Sequence, residues 1–318
     1  MFCSTVIATI GRAELSRAVE SVLTQPFTRD AFEVIVVNDS GEPLRPASWQ
    51  RSERVTVINT QRRERCVARN AGAAIARGRH LNFLDDDDWL LPEAFDRLWK
   101  LAQTTPAPWL VGASQLVDRT GRSLITLRHN LPGNCFVQLM AGEWIPLQAS
   151  LIDAAAFFAA GGFNPLIPGI EDIDLGRRLA LAGEVAFAAT PVACIGMGEE
   201  NSSTNRALTT GYSRRARETI LNRPGVFARM RVSATSPFWR GRMARAYLTS
   251  VVWNARRKNM FTAAGRAWHG LASLALAGSS LLSIEFWRAV AHPYRSQTFE
   301  RGFDEVARPV AGGEIYGV

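Results

Sequence analysis

Four consecutive aspartates, Asp85 to Asp88, directly follow an apolar segment at 80–84 that has the pattern of a buried strand. Clustered carboxylates are costly to bury without a counter-ion, so this strand must end at water or at a cation. In an open α/β sheet the carboxyl ends of the strands form the ligand crevice, and carboxylates there suit Mg²⁺ or Mn²⁺ carrying a phosphate-containing substrate. The alternative is a solvated acidic turn that caps the next helix, for which Pro92 is suitably placed.

The segments around the aspartates alternate between strand and helix patterns. The run from Glu33 to Val37 is almost continuously apolar, as is typical of a parallel strand covered on both faces. Further strands are predicted at 4–10, 55–58 and 80–84, and helices at 15–22, 66–77 and 93–103. This alternation predicts an α/β fold with a mostly parallel central sheet and helices on both faces. The segments 109–117 and 123–127 flank a turn-like sequence and predict a hairpin instead.

The composition limits the class of protein. At 318 residues and 47% hydrophobic composition, the chain can bury one large core or two smaller ones. Its four cysteines form neither a CxxC pair nor a disulfide-dense pattern, which favours a reducing, cytoplasmic compartment. The first residues already enter a predicted strand, so we expect no secretion signal. No uninterrupted apolar stretch is long enough to predict a membrane-spanning helix.

The charge is divided unevenly along the chain. Residues 1–205 hold 19 of the 37 Arg and Lys and 23 of the 29 Asp and Glu, a net charge of −4, and residues 206–318 hold the rest, a net charge of +12. A basic region of this kind indicates an anionic partner, such as nucleic acid, anionic lipid or an anionic substrate. We therefore expect residues 206–318 to form a separate basic helical region.

Six segments of the chain carry a resemblance to a known family. They are Ala8–Arg12, Glu20–Gln25, Glu33–Asp39, Ala68–Gly72, Phe83–Asp88, and Gly161–Phe163 with the following Glu171–Leu175. In this order and spacing they resemble the inverting family 2 glycosyltransferases, which have a GT-A nucleotide-diphospho-sugar transferase fold. The resemblance implies a catalytic domain at 1–205, with donor binding at 1–105 and acceptor binding at 106–205, followed by a helical C-terminal extension.

The same resemblance implies an activity. A hexosyl group would move, with inversion, from a nucleoside-diphosphate sugar to a hydroxyl of a saccharide or lipid-linked acceptor, in cell-surface polysaccharide or glycolipid synthesis. The diphosphate leaving group needs a divalent cation to neutralise its developing charge. A hypothesis from another class is a noncatalytic nucleotide-sugar or polysaccharide-binding module with the same fold, since fold alone does not decide function.

Site residues follow from the resemblance. The metal, Mn²⁺ or Mg²⁺, is assigned to Asp87, the last carboxylate of a DxD element, whereas Asp88 has no assigned role. Asp85 or Asp86 is expected to reach the ribose. Donor binding is assigned to Thr9, Arg12, Asn38, Asp39, Arg69, Asp85 and Asp86. For Arg69 the alternative is an ion pair on the surface of its helix.

An inverting transfer needs one general base for the acceptor hydroxyl. The resemblance places it in the pair Glu171 and Asp172, with Asp172 as the base and Glu171 steering the acceptor or positioning Asp172. Repulsion between neighbouring carboxylates can raise one pKa and so favour proton acceptance. Asp174 has either a catalytic role or a helix-start role in binding backbone amides. The plain alternative for the whole cluster is helix capping.

Two departures from the family pattern affect these assignments. Asn38 stands where an Asp-Asp pair is common, so base recognition and donor identity stay open. Many relatives have a histidine after the strand that follows the acidic helix, and the corresponding segment at 194–203 has none. Glu199, Glu200 and Asn201 are the candidate substitutes, and the alternative is a mobile lid that closes over the donor.

Residues beyond 205 lie outside the resemblance. The segment 239–258 has helical periodicity, with Trp239, Met243, Ala246, Tyr247 and Val251 on one side, and an apolar segment at 271–284 is interrupted by Gly278-Ser279-Ser280. One hypothesis is an in-plane anchor on an anionic membrane, which would place the protein at the inner face of the membrane. The other is a helical subdomain packed on the catalytic part or on a second copy in a homo-oligomer. Nucleic acid is not expected, because no recognised binding motif accompanies the basic residues.

Overall fold

The computed structural model describes residues 1–60, 64–118, 120–197 and 206–291, without the side chains of 206–210. The strands are β1 (Cys3–Thr9), β2 (Phe32–Asn38), β3 (Val55–Asn59), β4 (His80–Asp85), β5 (Trp89–Leu90), β6 (Trp109–Val117), β7 (Ser123–Leu127), β8 (Ser150–Asp153) and β9 (Val185–Gly196). The α-helices are α1 (Leu15–Leu23), α2 (Arg65–Ile75), α3 (Ala94–Thr104), α4 (Phe136–Ala141), α5 (Ala154–Ala160), α6 (Glu171–Ala182), α7 (Arg206–Leu221), α8 (Val226–Ser233), α9 (Pro237–Arg256), α10 (Met260–Ala275) and α11 (Ile284–Ala291).

The strands form one mixed sheet in the order β3-β2-β1-β4-β8-β6-β9-β5, with β7 paired to β6. Its first part, β3-β2-β1-β4, is entirely parallel, as predicted from the apolar runs. The pairing of β6 with β7 is antiparallel, which confirms the predicted hairpin. β8 runs antiparallel between β4 and β6 and so joins the parallel part to the rest of the sheet. The prediction of a mostly parallel α/β fold with a helical C-terminal region is confirmed.

Both faces of the parallel strands are covered. Val6 and Val37 belong to one apolar cluster, and Ile7 and Val36 belong to a second cluster on the other face. Because successive side chains of a strand point to opposite faces, this double burial explains the continuous apolar runs.

The C-terminal helices pack against the sheet domain. Ile220, Met230, Met243 and Tyr247 share an apolar cluster with residues of β1, β2 and β4. The predicted helix at 239–258 is α9, and its apolar side faces the core: Met243, Ala246 and Tyr247 are buried, and Trp239 and Val251 are half-buried. α10 and α11 both pack on α9. In the ranges that the structure describes, no helix is both long and apolar enough to cross a bilayer.

Candidate functional site

The carboxyl ends of β1, β2 and β4 meet at one edge of the sheet. The parallel register places Thr9 beside Asn38 and Ala8 beside Asp85. Residues that are about thirty and eighty positions apart therefore lie together because parallel strands share one carboxyl edge.

The four aspartates form a tight turn after β4, which we call the acidic turn (Asp85–Asp88). The Asp88 amide donates to the carbonyl of Asp85 at 3.1 Å. One carboxylate oxygen from each of Asp85, Asp87 and Asp88 lies within 4.8 Å of the others. Hard carboxylate oxygens at this spacing fit one divalent cation. The turn leads into β5 and does not cap the next helix, since α3 begins only at Ala94.

Asp86 is not one of the three carboxylates that converge in the acidic turn. Its Oδ2 accepts a hydrogen bond from the Thr9 hydroxyl at 2.6 Å. Burial raises the pKa of Asp86 to about 6. Thr9 and Asp86 were both assigned to the donor, and the structure places them in direct contact with each other.

The electrostatics of the acidic turn favour a cation. Burial, followed by the charge of Asp85, raises the pKa of Asp87. Burial and the charges of Asp85 and Asp87 raise the pKa of Asp88 well above its usual value. Burial also disfavours the charged form of Asp85, but Arg69 outweighs it and leaves the pKa of Asp85 lowered. Charging Asp87 and Asp88 is thus disfavoured in the protein alone, and a bound cation would offset that cost.

Two arginines from the β1–α1 region approach the acidic turn. Arg12 Nη1 lies 2.8 Å from Asp87 Oδ2 and 3.2 Å from Asp86 Oδ1, and 43% of the Arg12 side chain is exposed. Arg17 donates to the carbonyl of Asp87 at 2.9 Å and stacks over the Trp89 ring at 3.8 Å. Arg12 therefore presents positive charge where the crevice opens to solvent.

Asn38 and Asp39 organise the backbone next to the acidic turn. The Asn38 amide donates to the carbonyl of Glu42 at 2.7 Å and to the side chain of Asn59 at 2.9 Å. Asp39 accepts hydrogen bonds from the Thr60 hydroxyl and the Glu64 amide. Both side chains line the sheet edge, and their assignment to the donor stays a prediction.

Arg69 connects the acidic turn to the second acidic cluster. Its guanidinium bonds Asp85 through Nη2 and lies 3.0 Å from Glu171 Oε1 through Nη1. Arg69 is only 6% exposed, so this ion pair is buried and not on the helix surface as the alternative held. Arg65, one helical turn earlier, lies 3.4 Å from the same Glu171 oxygen. One buried cation thus fixes the two acidic groups relative to each other.

Asp172 lies at the start of α6 next to Glu171. The indole of Trp144 donates to Asp172 Oδ2 at 2.9 Å. Burial and the neighbouring Glu171 charge raise the pKa of Asp172. Among the described residues, Glu171 Oε2 is buried and has no hydrogen-bond partner. The pair therefore offers one carboxylate with raised proton affinity and one unpaired acceptor oxygen.

Asp174 has a different environment. It pairs with Arg178 one turn later at 2.6 Å, and Arg178 also donates to the carbonyls of Ala160 and Gly162 at 2.7 Å. Both alternatives for Asp174 assumed a carboxylate turned to substrate or to backbone amides. The structure instead gives it an ion pair with Arg178, which in turn binds the C-terminal end of α5.

Comparison with known protein families matches the first part of the chain. Residues 4–142 match the model of Glycosyl transferase family 2. This segment, less than half of the chain, is similar to a family 2 glycosyltransferase domain. The match ends before α6, so it covers the acidic turn but not Glu171 and Asp172.

Several characterised and uncharacterised proteins resemble part of this chain. Succinoglycan biosynthesis protein ExoO of Rhizobium meliloti is 36% identical over 123 residues, which cover 37% of this chain and 35% of the relative. The uncharacterized glycosyltransferase YwdF of Bacillus subtilis is 36% identical over 107 residues, or 33% and 39% of the two chains. The chain thus spans about a third of the length of these relatives.

Solved structures resemble a larger part of the chain. TarS residues 1–349 of S. aureus in complex with UDP-GlcNAc align with a TM-score of 0.56 at 14% identity, over 83% of this chain and 89% of that one. The complex with UDP aligns with a TM-score of 0.53 at 15% identity and the same coverage. At this identity the likeness establishes a GT-A fold.

The structure adds residues that the sequence did not indicate. Gln148 donates to Asp85 Oδ2 at 2.9 Å, and Trp144 holds Asp172. Neither belongs to a recognisable motif. Arg65 was detectable in principle, because it precedes Arg69 by one helical turn and shares its face. A carboxylate oxygen of Asp88 lies near those of Asp85 and Asp87 only because the backbone turns tightly at the end of β4.

The segment that lacks the expected histidine is only partly described. β9 ends at Gly196, whose amide donates to Asp88 Oδ1 at 2.8 Å, so the described end of this segment lies beside the acidic turn. Glu199, Glu200 and Asn201 lie outside the described residues.

Asp174→Ala is expected to lower the free energy of unfolding by about 3 kcal/mol, because Arg178 would lose its carboxylate in a buried site. Asp96→Ala is the matched control. Asp96 also pairs with a cation one turn later, Lys100, and with Arg29, but both partners are largely exposed, so its loss should cost less than about 1 kcal/mol. Urea unfolding measures both values. If the two variants are equally stable and only Asp174→Ala loses sugar transfer, Asp174 has a catalytic role instead of a structural one.

Proposed function

We propose that this chain is an inverting, metal-assisted glycosyltransferase that moves a hexosyl group from a nucleoside-diphosphate sugar to an acceptor hydroxyl. One observation carries the proposal. A carboxylate cluster suited to a cation and a carboxylate with a raised pKa lie on either side of one buried guanidinium, that of Arg69. This arrangement suits a reaction that needs a neutralised leaving group and a base at the same centre.

Asp87 is the primary metal ligand in this proposal. Asp85 and Asp88 supply further oxygens within reach of the same ion. The three carboxylates fit Mg²⁺ or Mn²⁺, both of which prefer oxygen ligands. When bound, the cation would neutralise charge on the leaving diphosphate.

The donor site is proposed at the carboxyl ends of β1, β2 and β4, within residues 1–105. Thr9, Asn38 and Asp39 line the edge where a base and ribose would lie. Arg12 is partly exposed above the acidic turn and is placed to contact a diphosphate. TarS binds UDP-GlcNAc and UDP with the same fold, which makes a UDP-sugar the first donor to test.

Asp172 is the proposed general base, within the acceptor part at 106–205. Its raised pKa favours taking a proton from the acceptor hydroxyl. Glu171 is held through Oε1 by Arg69 and Arg65, so we assign it to steering. Its second oxygen would accept a hydrogen bond from the acceptor. The resemblance to ExoO supports a saccharide or lipid-linked acceptor in polysaccharide synthesis.

A binding screen tests the donor half of this proposal. Uridine, guanosine, adenosine, cytidine and thymidine diphosphates would be titrated with Mn²⁺, with Mg²⁺ and with a chelator, and thermal unfolding followed. A ligand at one hundred times its Kd stabilises a protein by about 2.7 kcal/mol, which is readily detected. We expect UDP to stabilise the protein only with metal. If no nucleoside diphosphate stabilises it under any metal condition, the proposed donor site is wrong.

Trp144→Phe should move the acid limb of the rate–pH profile to higher pH. The indole N–H stabilises the charged form of Asp172, so its removal should raise the pKa of that carboxylate further. A base with a higher pKa becomes active only at higher pH. The profile of kcat measures this, with Trp99→Phe on α3 as the matched control. An unchanged acid limb in Trp144→Phe would mean that Asp172 is not the titrating base.

A further inference from the structure

The outward side of α10 is almost purely apolar. Phe261, Trp268 and Leu271 are 93%, 72% and 61% exposed. We define the outer face of α10 as the exposed residues at helical spacing Phe261, Ala264, Gly265, Trp268, Leu271 and Ala275. It contains no charged or hydrogen-bonding side chain other than the indole of Trp268.

The inward side of α10 has the opposite character. Ala263, Arg266, Gly270 and Ser273 are the buried residues of this helix. Arg266 donates to Asn222, directly after α7, and the position of a Cβ on Gly270 lies 3.2 Å from Leu248 of α9, so α10 packs on its neighbours through small and polar groups. A surface helix normally turns its apolar side inward and its polar side to water. The reversed polarity of α10 indicates that its outer face meets an apolar phase.

Neighbouring elements continue this exposure. Leu282 is 91% exposed, and Ile284 and Trp287 are also exposed on the turn that follows α10 and on α11. Phe261 and Leu282 are the most exposed large hydrophobic side chains among the described residues. Contiguous exposure of this kind marks an interaction surface, whereas single exposed hydrophobics do not.

The surrounding charge has one sign. No aspartate or glutamate occurs between Glu218 and Glu285, and that interval contains ten arginines and lysines. Three of them, Arg256, Arg257 and Lys258, are exposed and directly precede α10. The partner must therefore be apolar and negatively charged at its surface. A bilayer with anionic lipids has both properties.

A cavity at the C-terminal end of α10 fits the same partner. It has a volume of about 210 Å³ and is lined by Arg231, Arg240, Met243 and Leu276 among others. Ser273 and Ala277 also line the cavity, so it lies on the inward side of α10, where two guanidinium groups beside apolar side chains can hold an anionic phosphate group.

We infer that the outer face of α10 lies in the interfacial plane of a bilayer that contains anionic lipids, with Arg256 to Lys258 at the headgroups. The helix has 16 residues, so it would lie in the membrane plane and not cross it. This surface is α10 and not the helix at 239–258, whose apolar side is buried in the core. The inference is independent of the proposed reaction.

Sedimentation with vesicles tests the inference on the full chain. Phosphatidylcholine vesicles would be compared with vesicles that contain phosphatidylglycerol as well. We expect binding to the anionic vesicles, weakened by salt, because screening reduces attraction between the basic residues and the leaflet. The double variant Phe261→Glu, Trp268→Glu should lose at least about tenfold in vesicle affinity, because carboxylates resist entry into an apolar phase.

Leu124→Glu is the matched control. It places one carboxylate, half the charge that the double variant adds, on an exposed leucine of β7, outside the C-terminal helices, and should bind vesicles like the unchanged protein. Thermal unfolding of all variants verifies that they fold. The inference is wrong if the unchanged protein does not bind anionic vesicles, or if the double variant binds them equally well. It is also wrong if the protein without vesicles is an oligomer that the double variant dissociates, with no vesicle binding, because the outer face is then an interface between copies.

Discussion

Asp172→Asn should lower the sugar-transfer rate by about 10²–10⁴-fold and leave donor affinity unchanged. The amide keeps the size of the side chain and can still meet the Trp144 indole through its oxygen, but it cannot accept the proton of the acceptor hydroxyl. Donor binding is proposed at the acidic turn, on the other side of Arg69, so the variant should bind the nucleotide as before.

Two measurements separate binding from chemistry in Asp172→Asn. Calorimetry gives the nucleotide Kd, and the initial rate of transfer gives kcat. Glu171→Gln is the comparison variant, because it also removes a carboxylate at the start of α6 but at the position assigned to steering. We expect Glu171→Gln to raise the KM for the acceptor and to retain more of kcat. Near-normal transfer in Asp172→Asn would move the base to Glu171 or Asp174.

Asp87→Ala should weaken metal-dependent nucleotide binding by on the order of 100-fold. The cation would lose its primary ligand, and the remaining oxygens of Asp85 and Asp88 would not compensate. The fold should persist, because the Asp87 side chain is 31% exposed and contributes little to the core.

Titration of Mn²⁺ in the presence of UDP, followed by the loss of the free-ion paramagnetic signal, measures this effect without any turnover. Asp118→Ala is the control, because it removes a half-buried carboxylate of the β6–β7 turn, outside the acidic turn. An unchanged Mn²⁺ titration in Asp87→Ala would place the metal elsewhere.

The donor edge was predictable because its causes are local. Apolar runs at 33–37 and 80–84 signalled parallel strands, and the shared carboxyl edge of such strands follows from their direction. That rule alone brings Thr9, Asn38 and Asp85 together from distant parts of the chain. The short distance from the Asp88 carboxylate to those of Asp85 and Asp87 was not predictable, because it depends on the conformation of the turn.

The links between the two acidic clusters were not predictable. Arg69 reaches Glu171 across 102 positions, and Trp144 reaches Asp172 from a segment without regular structure. Such contacts depend on how α2, α6 and the 142–149 segment pack, which no sequence spacing specifies.

The outward orientation of the apolar side of α10 was not predictable from the sequence, for another reason. Apolar periodicity reveals that a helix has an apolar side but not whether that side faces the core. For 239–258 the apolar side faces inward, and for α10 it faces outward. Only the packing of α10 on α9 distinguishes the two cases.

Turnover of a nucleoside-diphosphate sugar tests the proposed enzyme activity most directly. Donors that bind in the screen would be incubated with the protein and with Mn²⁺ or a chelator, and the released nucleoside diphosphate measured with and without a saccharide acceptor. We predict release that requires the metal, rises with the acceptor and falls in Asp172→Asn. The opposite outcome is that the protein binds the donor tightly with metal but releases no nucleoside diphosphate with any acceptor tested. That result would contradict the proposed glycosyltransferase activity and identify a noncatalytic binding module.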